Sequence, residues 1–287
     1  MAPVLPPSAA ATAAAGPTDT YRIGGHKVSY ALLSTMKQAS NSTGVDFAYL
    51  VAQAGQESGF RTNAQASTSS ARGLFQFIES TWLEMVRDHG AKYGLAAEAQ
   101  QIRTGSDGRP RVDDLSVRRS ILSLRDDPRI ASAMAAEYAR SNQQILSREL
   151  GVDLNRVDLY LGHFLGPNGA SRFLTAMKQN PAQDAAALLP EAAAANRNVF
   201  YTPDGRTRSI GDVYAFFARK LDSNATGLDS VPDSGVASRR ASPVNTHLAE
   251  QRRVTDHAVQ MMAMDMLHKL MQGQSRLTSR NDPDSWS

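Results

Sequence analysis

The 287-residue chain contains no cysteine. Disulfides, zinc–thiolate sites, iron–sulfur clusters and thiol nucleophiles are thereby excluded. Long apolar runs are missing too. None approaches the ~20 residues a helix needs to cross a bilayer, so no integral membrane segment is expected. Charge bias is small: 31 Lys and Arg face 28 Asp and Glu, a formal net charge of +3. That is too weak to argue for nucleic acid, and no such partner is expected. Six histidines are scattered without HExxH or paired ligand spacing. No phosphate loop or nucleotide-binding glycine motif is present, so no metal and no cofactor are expected. The amino-terminal MAPVLPPSAAATAAAGPTD lacks a basic start and a Leu/Val-rich stretch. It reads as a poor secretory signal.

What is present suits a globular protein: 41 % hydrophobic and 21 % charged residues. Residues 1–20 are Ala/Pro-rich and expected to be disordered. Over residues 21–222 apolar positions recur at helical spacing, interrupted by Gly, Pro and Asn. This predicts one all-α domain. Within it, residues 88–126 carry Gly-Ser-Asp-Gly and many charges, and read as an insertion. The dense arginines from Arg103 to Arg148 read as a solvated helical surface. Asp127-Pro128 reads as an N-cap followed by proline at the first helical position. Residues 223–245 read as a linker, and 246–287 as a Met-rich helical tail with a disordered end. In the tail, Val254, Ala258, Met262, Met266 and Leu270 form an i, i+4 row over 246–272. Such a row either docks on its own domain or binds a protein partner.

One polar residue stands out on an apolar stripe. Thr43-Gly44-Val45-Asp46 reads as a capping box opening a helix. Phe47, Leu50, Ala54 and Glu57 then follow at i, i+3, i+7 and i+10, one face of that helix, and Ser58-Gly59 ends it. An anion on such a stripe is costly unless paired. Desolvation favours the protonated form of a carboxyl, which can then deliver its proton to a leaving oxygen. The alternative is an ion pair between Glu57 and Arg61, one helical turn on.

A second motif follows, Ser67 through Gly73-Leu74-Phe75-Gln76-Phe77-Ile78, then Ser80-Thr81-Trp82. A lone Gln76 amid apolar residues needs hydrogen-bond partners, and nearby backbone could supply them. Together, Glu57-Ser58, Ser67, Gly73-Leu74-Phe75-Gln76 and Thr81-Trp82 resemble the soluble lytic transglycosylase domain, which has a goose-type lysozyme-like fold. That family carries Glu-Ser, Ser, Gly-Leu-Met-Gln and then Thr-Trp or Thr-Ala, so Phe75 stands for the usual Met. Its third motif, Tyr-Asn-Ala-Gly-Pro, is matched only loosely by His163-Phe164-Leu165-Gly166-Pro167.

The resemblance implies a fold, a substrate and a set of roles. The substrate would be peptidoglycan glycan strands, and the location the periplasm or cell envelope. Glu57 would be the one catalytic acid and base. Ser58, Ser67 and Gln76 would hydrogen-bond the acid or the sugars, while Phe75, Ile78 and His163 would shape the cleft. Tyr138 would match the family's cleft tyrosine, and Tyr201 or Tyr214 its closing one. Most glycosidases use two carboxylates. No second acid has comparable placement here, since Glu79 and Glu84 lie past the second motif. One acid suffices if the sugar supplies its own nucleophile. Two other readings stay open: a hydrolytic muramidase of the same fold, and a glycan-binding assembly scaffold that no longer cuts.

Overall fold

The computed structural model describes residues 19–67 and 69–232. The Ala/Pro-rich start and the 246–272 segment lie outside these residues. A short hairpin opens the described chain, β1 (Thr20–Ile23) pairing antiparallel with β2 (His26–Ser29). Ser29 caps the first helix, α1 (Tyr30–Thr43), its side chain accepting the N–H of Leu32.

The Glu57 helix, α2, spans Phe47–Ser58 and stops at left-handed Gly59. Its N-cap differs from expectation. Asp46, not Thr43, fills the role, taking the N–H of Tyr49 at 2.8 Å. Thr43 still belongs to α1, and its hydroxyl bonds back to the Ala39 carbonyl. The run Thr43 to Asp46 therefore holds a helix end and a helix start, and a lone Asp cap suffices for the latter.

After the second motif come α3 (Glu79–His89), α4 (Ala96–Gln100), a two-stranded hairpin of β3 (Arg103–Thr104) and β4 (Pro110–Arg111), and α5 (Leu115–Ser123). The expected insertion is thus folded. Leu95, Ile102, Val112, Ile121 and Leu122 tie it into the core. Trp82 of α3 is fully buried and donates its indole N–H to the Ile121 carbonyl at 2.8 Å.

The long helix α6 (Pro128–Leu150) begins as its sequence predicts. Asp127 caps the N–H groups of Arg129 and Ile130, with proline in the first turn. It packs on α1 and α3. It also packs on α7 (Arg156–Gln179), which breaks at Gly166 (φ 73°, ψ 163°) before Pro167. A side chain at that φ would be strained, and proline then restarts the helix without needing an N–H partner. Short helices α8 (Ala185–Leu188), α9 (Pro190–Ala195) and α10 (Arg197–Phe200) lead to α11 (Ile210–Ala225). α11 packs on α2 and α7. The architecture is mostly α, as expected, and among the described residues two small hairpins are the only sheet.

Folded structure runs past the expected boundary at 222. α11 ends at Ala225, and Leu228 and Val231 pack against the core. Gly227 makes this possible, because a Cβ there would sit 2.3 Å from the Arg22 carbonyl oxygen. No described helix is long and apolar enough to cross a membrane.

Candidate active site

Glu57 occupies the last turn of α2, with its side chain 15 % exposed. The stripe behind it is buried, with Leu50 and Ala54 fully so. The ion pair with Arg61 does not form. Arg61 turns its Nε to the Ser58 carbonyl at 2.9 Å. Glu57 Oε1 faces His163 Nε2 at 3.5 Å. At that spacing no hydrogen bond is made, so Oε1 is buried without a partner.

The groups around the carboxyl come from four helices. Gln53, four residues before Glu57 on α2, is buried and places Nε2 3.5 Å from His163 Nδ1. His163 sits on α7 just before its break, 9 % exposed. Its ring is flanked by Tyr160 at 5.7 Å and meets Tyr138 of α6 edge-on at 6.3 Å. Burial, and then the Glu57 charge, pushes the phenols of Tyr49 and Tyr160 well above their ordinary range. Burial does the same to Tyr138. All three are neutral donors at any physiological pH. Lys220 of α11 is half-buried, and desolvation lowers its ammonium pKa against the opposing pull of Glu57. Asn224 Nδ2 donates to Gln56 Oε1 at 3.2 Å, pinning the end of α2 to α11.

The second motif forms a braced loop. Gln65 bridges Arg72, and Arg72 bridges Phe77. Gln76 donates Nε2 to the carbonyls of Ala64 (3.0 Å) and Gly73 (2.9 Å), the backbone alternative foreseen for it. Gly73 has φ 84°, and a Cβ there would lie 2.0 Å from the Arg125 carbonyl oxygen. Only glycine permits that approach. Arg125, itself buried, clamps the loop by donating Nη1 to the carbonyls of Ser70 and Phe77. Arg72 pairs with Asp126 at 2.6 Å.

The predicted site residues are therefore only partly gathered. Glu57, His163 and Tyr138 share one polar cluster. Ser58 is buried, its hydroxyl donating to the Ala54 carbonyl at 3.2 Å. Phe75 and Ile78, expected to shape the cleft, are 2 % and 5 % exposed and lie beneath the surface. Ser67 is exposed on the loop. Tyr201 carries the Arg197 guanidinium over its ring at 4.4 Å and bridges Thr207. Tyr214 donates to Asp158 Oδ1 at 3.0 Å and accepts from Asn155. Both are thus engaged away from the Glu57 group.

Sequence reasoning passed over Tyr49 and Gln53, although they stand at i−8 and i−4 from Glu57 on the same helical face. Tyr160, at i−3 from His163, carried the same kind of signal. Lys220 gave none.

Two other features compete for attention. Glu84 is buried, and desolvation followed by the Asp88 charge pushes its carboxyl up to about 8, with Arg87 opposing. Arg87 lies 3.9 Å from it, Asp88 adds a like charge, and its own charge reaches Tyr138. A surface pocket is lined by Tyr30, Leu33, Lys37, Phe47, Leu228 and Val231. It sits at the far end of α2, about 15 Å from Glu57 at 1.5 Å per residue, and is not this site.

Residues 34–101 match the transglycosylase SLT domain family. The matched stretch contains most of α1, α2 with Glu57, the braced loop and α3 with Trp82. It ends before His163 and α11. Over this stretch the chain is similar to the soluble lytic transglycosylases, and the match supports a peptidoglycan-processing function in general terms.

Proposed function

We propose that this chain, with a transglycosylase SLT domain match over residues 34–101, is a lytic transglycosylase that cuts peptidoglycan strands with Glu57 as its acid and base. The observation that carries the reading is the environment of Glu57. The carboxyl ends a buried stripe, is 15 % exposed, has no arginine or lysine of the described residues within ion-pair distance and keeps one oxygen unpaired. A carboxyl so placed is positioned to exchange a proton with a sugar oxygen.

The reaction balances with one carboxyl. Glu57 gives its proton to the glycosidic oxygen between N-acetylmuramic acid and N-acetylglucosamine as the C1–O bond breaks. The N-acetylglucosamine side leaves with a free 4-hydroxyl. The muramic 6-hydroxyl attacks the same C1 and surrenders its proton to the Glu57 carboxylate. A 1,6-anhydro end forms, no water is consumed, and the acid is restored. Tethering of the nucleophile removes much of the entropic cost a water would carry. Neutral Tyr49 and Tyr160 keep the surroundings of the acid free of competing negative charge. Ser67, exposed on the loop, is the predicted contact best placed for a sugar hydroxyl. Gln76 braces the loop through the Ala64 and Gly73 carbonyls, and Phe75 and Ile78 are buried beneath it.

The location would be the cell envelope, where the substrate is. The 246–272 segment would carry the enzyme to an envelope-spanning assembly that needs a local opening in the wall.

Glu57→Gln assayed on purified peptidoglycan tests the reading. Loss of about 10²- to 10⁴-fold in cutting is expected, the usual worth of a positioned general acid. Product masses decide the chemistry: an anhydro end is lighter by one water than a hydrolysed one. Full activity in the variant would remove Glu57 from the mechanism. Hydrolysed ends from the unmodified protein would make it a muramidase. Binding to sacculi without release of fragments would make it a scaffold.

A further inference from the structure

We infer that Gln53 and His163 form a positioning relay behind Glu57, in which Gln53 fixes the tautomer of His163 and His163 holds one carboxyl oxygen. The inference rests on the reading of Glu57 as the catalytic acid. The three side chains stand in a row. Gln53 Nε2 lies 3.5 Å from His163 Nδ1, and His163 Nε2 lies 3.5 Å from Glu57 Oε1. Gln53 is buried, and His163 and Glu57 are 9 % and 15 % exposed. Both spacings are at the long end for hydrogen bonds. Catalytic contacts commonly tighten when substrate closes the site.

The polarity of the row follows from the donors. An amide nitrogen can only donate, so Gln53 Nε2–H requires a lone pair on Nδ1. A neutral imidazole with Nδ1 unprotonated carries its proton on Nε2, the ring nitrogen that lies 3.5 Å from Glu57 Oε1. Once substrate tightens that contact, His163 donates to the carboxyl. Oε1 is then held, and Oε2 is left for the glycosidic oxygen.

An imidazolium would set Nδ1–H against Nε2–H of Gln53, donor against donor. Its charge would also hold Glu57 as the anion and withdraw the proton that the leaving group needs. The rings against His163 are Tyr138 and Tyr160, both neutral phenols, while Tyr49 and Lys220 act on Glu57. The Nε2-protonated ring is therefore the form that fits the row.

Two measurements on the full chain test this. The first needs no activity. Long-range ¹H–¹⁵N correlation spectra, with His163 assigned by its loss in His163→Gln, report which ring nitrogen carries the proton. We expect Nε2–H in the wild type and a mixture of tautomers in Gln53→Met, which removes the donor at similar volume. A wild-type ring protonated at Nδ1 when neutral would overturn the inference, and so would an unchanged tautomer in Gln53→Met.

The second is the kinetics of cutting purified peptidoglycan. His163→Phe is expected to lose about 10- to 100-fold in kcat, the worth of one hydrogen bond to a charged group, with KM little changed. His163→Gln keeps an N–H near the Nε2 position and should recover most of that loss. Wild-type kcat in His163→Phe, or no recovery in His163→Gln, would overturn the inference. If the wild type releases no fragments at all, the functional reading fails instead, and the tautomer spectra alone decide the relay.

Discussion

Glu84 offers a test of the structure that is independent of any assay for cutting. Its carboxyl lies in the α3 interior, about one-tenth exposed, with Arg87 Nη2 no closer than 3.9 Å. Burial and the nearby Asp88 charge raise it from the ordinary 4.5 to about 8. In the unfolded chain the same group ionises near 4.3. Between these values the folded state binds a proton that the unfolded state has already released. Stability must therefore fall as pH rises through that window. It is fully present below about pH 4.5 and lost as pH passes about 8. At about 1.36 kcal/mol per pH unit, the accumulated loss is at most roughly 4 to 5 kcal/mol. That is a large part of the 5–15 kcal/mol typical of a domain. Glu84→Gln keeps the shape and removes the titration. Urea unfolding of both proteins at half-unit steps from pH 4.5 to 9 gives the two curves. They should lie close together at pH 4.5, and the variant should be more stable by a few kcal/mol at pH 9. Other titrating groups act equally on both and cancel in the difference. Parallel curves across the whole range would show that Glu84 ionises as if in water, and would refute the packing described for it.

Two further outcomes follow from the loop and the domain end. Gly73→Ala forces a Cβ to within 2.0 Å of the Arg125 carbonyl at φ 84°. It should cost several kcal/mol by thermal or urea unfolding, and a loss under 1 kcal/mol would refute the close approach. Truncation after Pro232 should leave both cutting and folding intact, whereas truncation after Asp222 should unfold or destabilise the domain, because Leu228 and Val231 pack on the core. Equal melting temperatures for the two truncations would refute that docking. Loss of recruitment to the envelope on truncation after Pro232, with cutting retained, is the outcome expected if 246–272 is a docking segment.

Much of the framework was legible because it depends on local chemistry. The Asp127-Pro128 start of α6 was readable from two residues, since a side-chain cap and a missing N–H act within one turn. The end of α2 at Gly59 belongs to the same class. So does the Glu57-to-Trp82 motif, whose residue types and spacing are printed in the chain. Reading went wrong where two local signals overlapped. Thr43 and Asp46 both resemble caps, and only the end of α1 assigned the role to Asp46.

The contacts that make Glu57 a distinctive acid were decided elsewhere. Its neighbours Gln53, His163, Tyr160, Tyr138 and Lys220 come from positions spread over 168 residues of chain, and no periodicity links α2 to α7 or α11. Whether Arg61 or His163 would face the carboxyl depended on how α2 stops and which helix packs across its end. Helical spacing told which face Glu57 shares. Long-range packing told what lies opposite that face, because burial and charge are set by through-space neighbours rather than by sequence ones.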